Sequence, residues 1–346
     1  MTISLHAHTS TRLAEARQLS VDARGAGARG DPQAALDLFD RALALLETGP
    51  RDVLLADVLR WKGTIHRDRG ETHHAQQLYQ RSLEIAEEGG FHSARGHALN
   101  CLGIIAQRRG DLGRAERLYA DAAACADAVN DEELRGMTGQ NRGVLANIRG
   151  EHRTAMAHYT ESLSGFRAIG NDEAASWVLN NLGMLHMDAK QFDLARDTFD
   201  QAFEIARRRG DQRMLGLIQL NVAEHRLAVG DVADAERRVG EVLRMAAERG
   251  DAPQCAEAFK LRGQMELRLG KLDAADSSLR RARELAEGID DALLIAEILR
   301  ETAEVAYARG ERDRASAVLR QSRGGFRELG ARPDEEQTTA RLRLIR

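Results

Sequence analysis

The chain has 346 residues, 43% of them apolar and 30% charged, with 50 basic against 54 acidic residues and a net charge of −4. That balance excludes a general electrostatic pull toward nucleic acid or an anionic membrane. No apolar run of about eighteen residues offers a membrane span, and no basic stretch leading into an apolar core reads as a signal peptide, so a cytoplasmic location is expected.

In chain order, residues 1–10 read as a flexible tail, and residues 11–50 as a weak first helix pair, with Gly25 and Gly27 near the end of its first helix. Seven clear pairs follow, at 51–90, 91–130, 131–170, 171–210, 211–250, 251–290 and 291–330. Residues 331–346 read as a C-terminal capping helix, with Pro333 and a polar run from Asp334 near its start. The pairs are marked by glycine at 30, 70, 110, 150, 230, 270 and 310, with Lys190 in the remaining place. Alanine follows each of these positions five residues later, from Ala35 to Ala315. Further breaks lie halfway between, at Pro50, Gly90, Asn130, Gly170, Gly210, Gly250, Asp290 and Gly330. A break every twenty residues leaves room for one helix of about 16–18 residues and a tight turn. Two unlike helices per forty residues is the mark of a solenoid.

Each first helix carries a small residue seven before the break, such as Gly63, Gly103, Gly143 and Gly183. Each second helix carries the alanine and, four residues on, a large one such as Tyr79, Tyr119, Tyr159 or Phe199. Small facing large along one helical face predicts close helix–helix packing. The acidic residues that follow the breaks suit the positive ends of the next helices, and the arginines before them suit the negative ends just finished. The Arg-Gly-Asp triplets at 29–31, 109–111, 209–211 and 249–251 are therefore read as helix punctuation.

The segments Leu99-Asn-Cys-Leu-Gly103 and Leu179-Asn-Asn-Leu-Gly183, followed by Ala115 with Tyr119 and Ala195 with Phe199, carry a family resemblance. The chain resembles tetratricopeptide-repeat proteins of the forty-residue kind, found in kinesin light chain and in bacterial peptide-sensing regulators. The resemblance covers roughly residues 11–330. It implies an all-α fold, a right-handed α-solenoid of about eight stacked antiparallel helix pairs. The bias to Arg over Lys, of which there are only four, and to Ala suggests a GC-rich bacterial genome.

Catalytic and metal chemistry find little support. There is no GxxxxGK[ST], HExxH or GxSxG. His66-Arg67-Asp68 lacks the rest of a kinase catalytic loop. Cys101, Cys125 and Cys255 form no CxxC pair and read as core or near-core residues. His73-His74 and His92 with His97 find no carboxylate or cysteine at a suitable spacing, so no metal site, no cofactor and no enzyme activity are expected.

The resemblance implies that the first helix of each pair lines a concave groove. The positions facing it include Arg60, Asn100, Gln140, Asn141, Asn180, Asn181, Met184, Asn221 and Glu224. Asn100, Gln140, Asn141, Asn180, Asn181 and Asn221 would form a ladder of carboxamides, each able to donate to and accept from a peptide backbone. Trp177, Met184, Met187, Leu220 and Leu227 would add an apolar pocket beside it. Asn141, Asn181 and Asn221 have a second reading as side chains that satisfy neighbouring backbone groups, and Trp177 a second reading as packing. Toward the C-terminus, Glu224, Glu257, Glu297, Glu301 and Glu304 lean acidic, which favours a basic segment in a partner. The expected function is a non-catalytic scaffold capturing a protein or peptide segment in the groove. The alternatives are a peptide-sensing regulator whose superhelix changes conformation, and a self-assembling structural subunit. The oligomeric state is left open.

Overall fold

The computed structural model describes residues 2–345, with side chains from residue 11 onward. Every element among the described residues is a helix: α1 Thr2–Ala28, α2 Pro32–Leu46, α3 Val53–Asp68, α4 Thr72–Gly89, α5 His92–Arg108, α6 Leu112–Val129, α7 Glu132–Ile148, α8 His152–Ala168 and α9 Asp172–Asp188. The series continues with α10 Phe192–Arg209, α11 Gln212–Ala228, α12 Val232–Arg249, α13 Ala252–Arg268, α14 Leu272–Gly288, α15 Ala292–Ala308, α16 Arg312–Leu329 and α17 Arg332–Ile345. The tail expected over residues 1–10 is corrected, because α1 already runs from Thr2 and passes through Gly25 and Gly27 to Ala28. Met1 and Arg346 lie outside the described residues. No helix among the described residues is long and apolar enough to cross a membrane.

Local chemistry sets the helix ends. Asp31, Asp111, Asp211 and Asp251 of the Arg-Gly-Asp triplets each accept a hydrogen bond from the backbone N–H three residues on, which satisfies an orphan donor of the following helix. Every break but Pro50 places one residue in the left-handed region, and Asn130, Lys190 and Asp290 do so without glycine.

Within each pair the small residue of the first helix lies against the large residue of the second. A Cβ added at Gly103 would stand 2.4 Å from the Tyr119 ring, and one at Gly183 2.4 Å from the Phe199 ring. Tyr79, Tyr119, Phe199 and Phe39 are almost fully buried. A second fastening recurs in step: Ser82 donates to the Ala56 carbonyl at 2.7 Å, Ser162 to that of Gly136 at 2.6 Å, and Ser322 to that of Ala296 at 2.7 Å. Cys101 and Cys125 are buried and Cys255 half-buried, all as free thiols.

Each helix packs on its neighbours in sequence, and the odd-numbered helices also pack on one another from α1 to α15. They form a continuous inner layer, with the even-numbered helices fanned outside it. The ribbon curves far enough to meet itself. A Cβ at Gly70 would stand 2.3 Å from Ile289 and 3.3 Å from Ala252, and one at Gly110 2.3 Å from Leu329 and 3.6 Å from Ala292. Gly30 meets Arg249 and Gly150 meets Pro333 in the same way. These four glycines combine a positive φ of 78–84° with a close approach, two reasons for lacking a side chain. At Gly230, Gly270 and Gly310 nothing lies within 4 Å of an added Cβ, and Lys190, at φ 57°, precedes them on the same stretch of the ribbon.

Candidate binding face on the inner helices

The inner layer brings the expected groove positions together, but divides them in two. Asn100 and Asn180 are buried, 0% and 3% exposed. Asn141 donates to Asn100 Oδ1 at 2.8 Å, and Asn221 donates to Asn180 Oδ1 at 2.7 Å. These four carboxamides bond adjacent inner helices, α5 to α7 and α9 to α11. The expectation that Asn100 and Asn180 present free amides to a groove is corrected, since the period places Asn beside Asn one repeat later and close packing seals the pair. Gln140 and Asn181 differ. They are half-buried and make no side-chain hydrogen bond among the described residues.

Met184 and Met187 are half-buried and pack with Trp177 against the core around Phe199. Leu220 and Leu227 are 5% and 2% exposed, so they belong to the core and not to an apolar pocket. Trp177 is roofed by a residue the sequence did not single out: the Arg213 guanidinium lies 5.6 Å from its ring centroid. Arg213 also pairs with Asp68 at 3.0 Å, across from α11 to the end of α3, and approaches Asp251 at 3.6 Å. Burial alone would raise the Asp68 carboxyl, but Arg213 and Arg67 outweigh it and hold it below its ordinary range. At the other end of the row Arg60 is half-buried, bonds Asp57 at 2.9 Å and lies 5.5 Å from the Trp61 ring centroid.

The acidic end is built around one lysine. Lys260 Nζ lies 2.8 Å from Glu257 and 2.6 Å from Glu297. Burial works against its charge, and the two carboxylates more than restore it, so its pKa stands well above the ordinary value. Glu224, one pair earlier on α11, makes no hydrogen bond among the described residues. Burial pushes its carboxyl up to about 7, Lys260 opposing and Glu297 and Glu257 adding to the rise. This stretch thus carries more carboxylates than cations, with unfilled accepting capacity at Glu224. Arg341 bonds Glu304 at 2.6 Å, which removes Glu304 from that count.

Two other features lie off this row. A cleft of about 300 Å³ opens between α10, α11 and α12, lined by Arg196, Phe199, Phe203, Val222, Arg226 and Arg238. Its Arg226 and Arg238 are already engaged with Asp234, at 3.3 and 2.8 Å. At the turn from α3 to α4, the ligand atoms of His66, Glu71 and His74 lie within 4.8 Å of one another. In the sequence His74 stands beside His73, and Glu71 precedes α4, so no shared helical face reveals this set. The spacing of 66, 71 and 74 crosses a turn, and no helical period shows it.

One model of the tetratricopeptide repeat matches residues 23–88 and 172–248, and a second model of the same repeat matches 95–131. No curated protein matches the chain by sequence. Among solved structures, a Rap protein complexed with Competence and Sporulation Factor is similar at a TM-score of 0.61 and 16% identity, over 97% of each chain. The APC/C hetero-tetramer Cut9–Hcn1 is similar at 0.61 and 16% identity, over 92% of this chain and 55% of that one. The tetratricopeptide-repeat sensor protein PH0952 from Pyrococcus horikoshii, a signal transduction ATPase with numerous domains, is similar at 0.52 and 15% identity, over 92% and 52%. At these identities the likeness concerns the fold. With the matched repeats covering more than half of the chain, and with helix pairs stacked into one curved ribbon, this protein belongs to the tetratricopeptide-repeat family.

Proposed function

We propose that the chain is a non-catalytic scaffold that captures an extended segment of a protein or peptide along its inner helices. The observation that carries this reading is the row Gln140, Asn181 and Glu224, half-buried on successive inner helices and without hydrogen-bond partners among the described residues. Half-buried polar groups with unfilled hydrogen bonds gain most from a ligand that supplies them. Trp177 and Met184 sit beside Asn181 and offer apolar area of the kind that anchors binding. The excess of carboxylates around Lys260 and Glu224 favours a basic residue in the captured segment. The similar Rap structure, complexed with Competence and Sporulation Factor, is an example of this fold with a bound partner.

The test is selection of binders from a displayed library of random peptides against the purified protein. Selected peptides are expected to be enriched in Arg or Lys. They should lose at least about tenfold in affinity, about 1.4 kcal/mol, when Gln140→Ala and Asn181→Ala are combined, with the melting temperature unchanged. Peptides that bind the double variant as well as the parent would overturn the reading.

The contacts where the ribbon meets itself favour a second reading, that of a sensor. A ligand in the hollow would press on a curve held by contacts such as Arg109–Asp290 at 3.4 Å and Arg213–Asp68 at 3.0 Å. X-ray scattering with and without a selected peptide separates the two: a rigid scaffold keeps its radius of gyration, and a sensor changes it.

A further inference from the structure

We infer that His66, Glu71 and His74 form a site for a late first-row divalent cation of the Zn²⁺ class, at the turn between α3 and α4. Two imidazoles and one carboxylate are a donor set suited to such ions, and three protein ligands leave a coordination position open. Their ligand atoms already lie within 4.8 Å of one another, where a tetrahedral ion with bonds near 2.1 Å needs them about 3.4 Å apart. His66 Nδ1 and Glu71 Oε2 stand 2.5 Å apart, sharing a hydrogen bond. A cation would take the place of that proton, and the pair would open by about 1 Å. Glu71 has a second oxygen, Oε1, held by Arg69 Nε at 3.0 Å. That contact orients the carboxylate from outside and leaves Oε2 for the ion.

The frame is rigid before any ion arrives. The Glu71 N–H bonds the His66 carbonyl at 2.8 Å, closing the turn, and Thr72 is tied to Ile289 on the opposing stretch of ribbon. Comparison among repeats shows what the fold itself requires. In the repeat three pairs on, His186 Nδ1 bonds Gln191 Oε1 at 2.8 Å across the equivalent turn. A histidine bonded to the residue after the break is therefore a turn brace, complete with two side chains. His74 is surplus to that brace. Its counterpart there is Leu194, and at the other turns Ala34, Arg114, Thr154, Asp234, Ala274 and Arg314. His74 is exposed and makes no hydrogen bond among the described residues. Its ring centroid lies 5.6 Å from that of His66. Only this turn brings three metal-ligating side chains together among the described residues.

The experiment is a calorimetric titration of the full, tag-free, chelator-treated chain with Zn²⁺, for the parent and for His74→Ala, Glu71→Gln and His73→Ala. The expected result is one equivalent bound, weakened about tenfold or more in His74→Ala and Glu71→Gln and unchanged in His73→Ala. His74→Ala alters an exposed side chain, and an unchanged circular dichroism spectrum shows that it folds. Co²⁺ as a spectroscopic substitute should give ligand-field bands without a thiolate charge-transfer band, which separates this site from the cysteines. Absence of saturable binding, binding unaffected by His74→Ala, or a thiolate band would each overturn the assignment.

Discussion

Thr72 and Ile289 are 217 positions apart in the chain, yet Thr72 Oγ1 donates to the Ile289 carbonyl at 2.9 Å. The hydroxyl is buried at the turn where the second repeat meets the end of α14. Around it Gly70 admits Ile289 and Ala252, and Gly110 admits Leu329 and Ala292. The closure of the curve therefore rests on small residues at the turns. Gly110→Val places a side chain against Leu329 in a left-handed backbone conformation and should destabilise the chain by roughly 1–3 kcal/mol. The expected sign is a larger radius of gyration in X-ray scattering, with helical content kept. Thr72→Val should be milder, at about 1 kcal/mol. An unchanged radius in Gly110→Val would mean that the ribbon does not meet itself in solution.

Tyr119 is fully buried against Gly103, and its hydroxyl donates to Gln107 Oε1 at 3.0 Å. Tyr119→Ala removes the ring from a site whose backbone has little room to collapse. A loss of about 3–5 kcal/mol is expected, measured as a lowered midpoint of chemical unfolding. Each repeat contacts mainly its neighbours, so amide exchange should quicken first in α5 to α7.

The two classes of carboxamide should separate by stability. Asn100→Ala leaves the Asn141 amide without its acceptor inside the packed layer, at about 1–3 kcal/mol. Asn181→Ala removes a side chain that bonds nothing among the described residues and should stay within about 0.5 kcal/mol of the parent. Thermal melts of the two variants check this, and equal melting points would show that the Asn100–Asn141 bond contributes nothing.

The raised Glu224 carboxyl, at about 7, makes a pH-dependent prediction. Its folded pKa lies above its unfolded value, so the folded chain binds the extra proton between the two. The stability linked to this group is fully present below the unfolded pKa and is lost as pH rises through about 7. Glu224→Gln, which keeps the shape and cannot ionise, should therefore match the parent in melting temperature near pH 4 and exceed it near pH 8. A constant difference across that range would show that Glu224 titrates as an ordinary carboxyl.

His97 shifts the other way. Burial and the nearby Arg60 push its imidazole down to about 4, with Asp131 opposing. A depressed histidine makes the unfolded state the better proton binder, so stability should fall as pH drops from about 6.5 toward 4. His97→Gln should lessen that fall, and parallel pH–stability curves for variant and parent would refute it.

The sequence alone determined what is local and repeated. The forty-residue spacing, the small residue opposite a larger one in each pair and the aspartates that cap helices each depend on residues within one repeat, and the structure shows them in those roles. The first helix of pair 11–50 is faint in the sequence because a weakly amphipathic stretch containing Gly25 and Gly27 gives little helical signal, while packing of Ala16, Leu19, Ala23 and Ala26 on α2 and α3 holds it as a helix. Tertiary structure decided the rest. The curve of the ribbon is the sum of small rotations between pairs, and no single repeat encodes where the sum brings Thr72 to Ile289 or Arg213 to Asp68. Whether an inner asparagine is free or spent depends on whether the next helix reaches it, which separated Asn181 from Asn180 one residue away. The meeting of His66, Glu71 and His74 required a turn to fold, since ligand geometry is set by distance in space and the helical period ends where the turn begins.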